Sequence, residues 1–130
     1  MSNAPSPGRD RRAARGFGIR AEWAALALLT LKGYRVLARN FNAPGGEIDL
    51  IAQRGETIAF IEVKARPDMD QAAIAITEQK RRRIGRAAAV WLRQNRWAVA
   101  YTLRGDAVFA APRRWPRHLL DAFALDLGGY

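Results

Sequence analysis

From residue 18 to residue 32 apolar side chains follow one another almost without a break; after Gly33 the chain changes to short runs in which apolar and polar residues alternate. The first pattern predicts a helix over 18–32, stopped by Gly33 and buried over most of its circumference. The second predicts strands: Tyr34 to Asn40, then Gly46 to Ile51, then Ile58 to Lys64. Pro44-Gly45-Gly46 closes the loop that begins at Phe41, and Gln53-Arg54-Gly55-Glu56 is a polar turn joining the last two runs. A further loop, Ala65 to Asp70, reads as mobile. Helical spacing returns at Ile84, Ala87, Ala88 and Trp91, an inward stripe on a helix capped by Thr77 and running to Asn95. Trp97 to Ala110 is β-rich with an interruption at Arg104-Gly105-Asp106, which allows one or two strands. A short terminal helix, 117–127, should close the core with Leu119, Leu120 and Phe123. This order defines an α/β single domain, with a mixed central β-sheet flanked by helices and the 46–64 hairpin at its middle.

Alternation also sorts the polar residues. Glu47, Asp49 and Ile51 share one face of their strand, with Ile48 and Leu50 on the other; Phe60, Glu62 and Lys64 share a face of the next. If Ala52 pairs with Thr57, Glu47 lies opposite Glu62, and Asp49 and Glu62 are diagonal neighbours about 7–8 Å apart. Three carboxylates and a lysine on one surface repel and desolvate one another, and a hard divalent cation is the simplest partner that makes such a cluster favourable.

Charge changes the picture next. The 130 residues carry a net charge of +10 and no cysteine, so disulfides and thiolate metal sites are excluded and a reducing cytoplasm is compatible. The longest apolar run, Trp23 to Leu31, is too short to cross a bilayer. The excess charge favours a polyanion, either nucleic acid or an acidic membrane surface, over a mere gain in solubility, because the basic residues cluster. Residues 1–17 read as a flexible basic arm ahead of a domain at 18–130. From Lys80 to Arg96 there are seven basic residues and no acidic ones. Arg82, Arg86 and Arg93 form an outer ridge; Lys80 falls on the line of the apolar stripe and should lean toward the sheet, either to contact substrate or to snorkel from the core edge. Glu22 is open to two readings, a first-turn carboxylate held by the helix dipole or a member of the acidic site. His118, the single histidine, reads as structural, and Trp115 in the basic loop 112–116 is a hint of a partner or membrane surface.

Asp49 followed on the next strand by Glu62-Val63-Lys64 resembles the signature of the PD-(D/E)XK nuclease superfamily, with Ile48 where the name-giving proline would stand. The longer match, Gly-Glu-Ile-Asp-Leu-Ile with Phe-Ile-Glu-Val-Lys, is similar to the YraN family of small bacterial proteins, described as uncharacterised or as endonucleases. Ala21-Glu22, Lys32-Gly33-Tyr34, Arg39-Asn40-Phe41 and Thr77 with Gln79-Lys80 extend the likeness over residues 18–123. The resemblance implies a restriction-endonuclease-like fold and a Mg²⁺- or Mn²⁺-dependent cut in DNA rather than RNA, with branched or damaged DNA as candidates. It implies Asp49, Glu62 and the Val63 carbonyl as metal ligands, Glu47 as an additional one, Lys64 as the residue that orients water or stabilises charge, and Glu22 as a helix-borne carboxylate beside the metal. Lys80, Arg82, Arg86, Arg39 and Asn40 are the matching candidates for nucleic-acid contact. A non-catalytic binding module of the same fold is the alternative, and the oligomeric state, dimer included, stays open. The family usually has Arg-Phe-Asp where this chain has Arg104-Gly105-Asp106, which predicts weaker packing there.

Overall fold

The computed structural model describes residues 20–65 and 76–128. The basic arm at 1–17 and the loop after Ala65 lie outside the described residues. Helix α1 spans residues 20–31 and turns out through Gly33, whose φ of +87° is one that favours glycine. Five strands follow, with one helix between the third and fourth: β1 (Arg35–Ala43), β2 (Gly46–Arg54), β3 (Thr57–Ala65), α2 (Glu78–Gln94), β4 (Thr102–Ala110) and β5 (Arg117–Phe123). Their order in the sheet is the order in the chain. All neighbours are antiparallel except β3 and β4, which run parallel because α2 carries the chain back across the sheet.

Helix α2 forms where the spacing predicts. Thr77 accepts a hydrogen bond from the Lys80 N–H at 3.1 Å, Glu78 sits in the first turn, and Asn95 ends the helix. Ile84, Ala87, Ala88 and Trp91 are buried against Ile51, Ile58 and Phe60. On the other face of the sheet, Ala25 and Leu29 of α1 meet Leu50, Ala52, Ala59 and Ile61. Helix α1 is less buried than its composition implied. Only positions four apart (Ala21, Ala25, Leu29) are fully buried, Leu26 and Leu28 pack partly buried beside them, and Trp23 and Leu31 are 58% and 75% exposed.

The register of the central hairpin corrects the one read from the turn. Ala52 pairs with Ala59 and Leu50 with Ile61. The slip is two residues, so side chains keep their faces while Asp49 and Glu62 become level instead of diagonal. Strict alternation also fails near Asp49: Ile48 packs with Ile51 on the α2 side, not with Leu50. Gly46 is the reason β2 can start so close to α2, because a Cβ there would meet the Arg83 carbonyl at 1.9 Å.

The C-terminal third differs most from expectation. A short 3-10 helix, Arg96–Ala100, precedes a single unbroken β4. Arg117–Phe123 is a strand rather than a helix, and Leu119 and Leu120 are exposed, leaving Phe123 alone in the core. Gly105 does not weaken the packing. Its missing side chain makes room for Phe123, whose ring and main-chain carbonyl would each lie 2.6 Å from a Cβ at that position. Gly105→Ala should therefore destabilise by about 1–3 kcal/mol through overpacking, and Phe123→Leu in the same chain should recover only the part due to the ring, because the Phe123 carbonyl stays where it is. Equal urea midpoints for the native chain and Gly105→Ala would show that the ring has room to move.

Candidate active site

Asp49 stands where β2 leaves the β3 ladder, one residue beyond the Leu50–Ile61 pair. Its Oδ2 accepts the Val63 N–H at 2.8 Å, so the carboxylate replaces a main-chain acceptor and is turned toward β3. Glu62 is buried on that strand, with its side chain 8% exposed and its Oε1 3.3 Å from Lys80 Nζ. Its Oε2 is buried and has no hydrogen-bond partner. Lys80 also reaches Glu47 Oε1 at 3.8 Å, so one ammonium from the first turn of α2 spans both acids.

Burial, and then the nearby charge of Asp49, push the Glu62 carboxyl up to about 7, against the pull of Lys80. Asp49 is raised as well, chiefly by burial; the Val63 N–H and the charge of Lys80 oppose the rise. Two acids that resist ionisation this strongly, with one oxygen unpaired, form a site short of positive charge.

The other candidate residues spread around this pair. Lys64 follows two residues after Glu62 on the same face of β3, partly exposed. Glu22 accepts from Asn40 Nδ2 at 2.8 Å and has Arg39 at 3.7 Å. Asn40, with a left-handed φ of 49°, falls between the Arg39–Leu50 and Phe41–Ile48 pairs, across from Asp49. Glu22, Arg39 and Asn40 are thus a small cluster one strand away from the acid pair. Arg39 also stacks 4.9 Å from the Trp23 ring centre. Arg82 and Arg86 point away from the sheet into a groove of about 350 Å³ that Arg93 and Asp126 share. Among the described residues no three acidic, imidazole or thiol groups converge on a common point.

A second polar centre on the α1 face went unread in the sequence. Asp106, fully buried on β4, accepts from Arg104 Nε at 2.7 Å and Nη2 at 2.8 Å, from the Asp121 N–H at 3.0 Å, and has His118 Nε2 at 2.8 Å. Arg104 also donates to the Tyr34 hydroxyl at 2.6 Å, and Lys32 caps the other histidine nitrogen. The alternating Arg-x-Asp of β4 was the available signal; reading it as a break hid it. His118 is structural here, as its lone occurrence implied.

The described residues therefore define an α/β single domain: a mixed five-stranded sheet between two helices, with the acid pair Asp49 and Glu62 on one face and a buried salt-bridge network on the other. No helix among them is long and apolar enough to cross a membrane. The chain belongs to the uncharacterised protein family UPF0102, whose model matches residues 21–110, and the YraN-like resemblance of the motifs is confirmed by that match. It is 60% identical over 126 residues to a UPF0102 protein of Methylorubrum extorquens, covering 97% of this chain and 98% of that one. A UPF0102 protein of Methylocella silvestris is 60% identical over 119 residues, 92% and 96% of the two chains. One from Rhodopseudomonas palustris is 52% identical over 117 residues, 90% and 91%.

Proposed function

We propose that the protein is a metal-dependent endonuclease that hydrolyses phosphodiester bonds in DNA, built on a restriction-endonuclease-like PD-(D/E)XK fold and acting in the bacterial cytoplasm. The observation that carries this reading is the pairing of a half-buried Asp49 with a buried Glu62 whose Oε2 lacks a partner. The residues fit Mg²⁺ or Mn²⁺: the donors are carboxylate oxygens, and a hard dication would supply the missing charge. Val63 adds a carbonyl. Its N–H points at β2, and in an extended strand the carbonyl of the same residue points to the same neighbour. Glu47 shares Lys80 with Glu62 but does not converge on the pair, and it would join as a further ligand only by a side-chain move. When bound, such an ion stabilises charge on a phosphodiester and lowers the pKa of water. Lys64, beyond Glu62 on the same face, is placed to orient that water or to stabilise charge on the phosphate oxygens. Lys80, Arg82 and Arg86 on α2, and Arg39 and Asn40 at the β1 edge, would hold the flanking phosphates.

The test is cleavage of branched and linear DNA with Mg²⁺ or Mn²⁺ by the native chain, Asp49→Ala and Lys64→Ala. We expect losses of about 10²-fold or more in both variants. Equal cleavage by all three proteins would end the enzymatic reading. One observation favours a binding module that does not turn over: no third acidic group joins the pair among the described residues. That reading predicts salt-sensitive DNA binding unchanged by Asp49→Asn, with no cleavage in any metal.

A further inference from the structure

We propose a second nucleic-acid contact, remote from the acid pair: a stacking site for an unpaired base on Trp97. It rests on the reading that the partner is nucleic acid, but not on cleavage. Trp97 lies in the short 3-10 helix Arg96–Ala100 just beyond α2, and it is 49% exposed. Its indole is clamped edge-on between Trp91, with ring centres 6.1 Å apart at 74°, and Tyr101, at 5.5 Å and 86°. Trp91 in turn stands edge-on to Phe60 in the core, at 5.8 Å. A half-exposed indole is thus tied through Trp91 and Phe60 to the middle of the sheet. A ring held in this way loses little freedom when a flat partner lands on it.

What surrounds the ring identifies the partner's chemistry. Arg93, Arg96, Leu92 and the half-exposed Val99 line a groove of about 530 Å³ beside it. Arg93 also forms part of the wall of the groove of about 350 Å³ that contains Arg82 and Arg86. The two grooves share Arg93 and together make one basic track along the outer side of α2, from Arg82 to Arg93, roughly 16 Å of helix, with Arg96 just beyond it. Asp126 is the single acidic residue in either lining. A track of guanidinium groups next to a rigid, half-exposed indole matches a polyanion with flat apolar rings, which is single-stranded nucleic acid. In a duplex the base faces are covered, so the site would select strand ends, gaps or flaps. A protein with an acidic and apolar surface would see the same arginines but would not distinguish bases from bare sugars.

Fluorescence anisotropy in EDTA tests this with the full chain and three probes: a short single-stranded DNA, the same strand with abasic sugars replacing its bases, and a blunt duplex. The native chain should bind the base-bearing strand at least about fivefold more tightly than the abasic one. Trp97→Ala should bring that ratio close to one, and Trp97→Phe should restore most of it. Arg82→Ala with Arg86→Ala should weaken both strands alike and leave the ratio unchanged. The ratio is taken within one protein, so a partly unfolded variant cannot imitate the loss. A native ratio of one, or a ratio that survives Trp97→Ala, would overturn the stacking site and leave phosphate binding standing. Failure of the native chain to bind any probe would remove both this site and the nucleic-acid reading.

Discussion

Glu62→Gln should abolish metal-dependent cleavage and at the same time stabilise the metal-free protein above neutral pH. The two effects have one origin. The Glu62 carboxyl holds its proton up to about 7 in the folded chain, against 4.5 when unfolded, because burial and the charge of Asp49 outweigh the help from Lys80. Below pH 4.5 both states carry the proton and the folded state has its full stability. Between those values the folded state binds more protons, so stability falls as pH rises, by roughly 3 kcal/mol once the window is crossed. Glutamine keeps the shape and removes the charge, so its unfolding free energy should be nearly flat from pH 5 to about 8, measured by urea titration. Mn²⁺ should reverse the order at pH 8, raising the Tm of the native chain and leaving Glu62→Gln unmoved. Parallel pH curves for the two proteins would show that Glu62 is not the strained group. Cleavage retained in the variant would show that it is not a ligand.

Asp106→Ala should cost more stability than any substitution in the acid pair, about 3–5 kcal/mol, because Arg104 and His118 would lose the carboxylate that they are folded around. Burial alone would raise this carboxyl. The hydrogen bonds from His118, Arg104 and the Asp121 N–H, with the charge of Arg104, hold it down at about 2. The sign is the opposite of that at Glu62. Asp106 contributes its stability above the ordinary aspartate range and loses it as pH falls from about 4 to about 2, so the native chain should unfold in acid more steeply than Asp106→Ala. The network lies on the α1 face, away from Glu62, and cleavage per folded molecule should be unchanged. A variant that unfolds at the native urea midpoint would refute the structural role.

The acidic hairpin was readable because period-two alternation and a two-part motif act within a few residues of each other. Glu62 and Lys64 needed only the pleat to share a face, and the error of two residues in register left that face intact; Asp49 joins them at a break in the alternation of β2, where Ile48 turns to the α2 side. Thr77 and Asn95 were readable for a similar reason, since capping is local. Glu22 was not: which carboxylate a helix delivers to a sheet depends on where the helix crosses it, and this one meets Asn40 instead of Asp49. Gly105 was misread because a glycine within a β-rich run looks like a break until Phe123 fills the space from a strand further on.

By itself, then, the amino-acid order determined the elements with strong periodicity, the excess of positive charge, and the presence of an acid pair with a lysine on one face of a strand. Those features depend on neighbours in the chain. Tertiary structure decided that Lys80 is the cation over that pair, that Glu62 is left with an unpaired oxygen, and that Asp106 gathers Arg104 and His118 on the opposite face. It also decided that the last segment is a strand. Each of these depends on distances between residues far apart in sequence, and on burial, which raises the energy of a charge only once the core has closed around it.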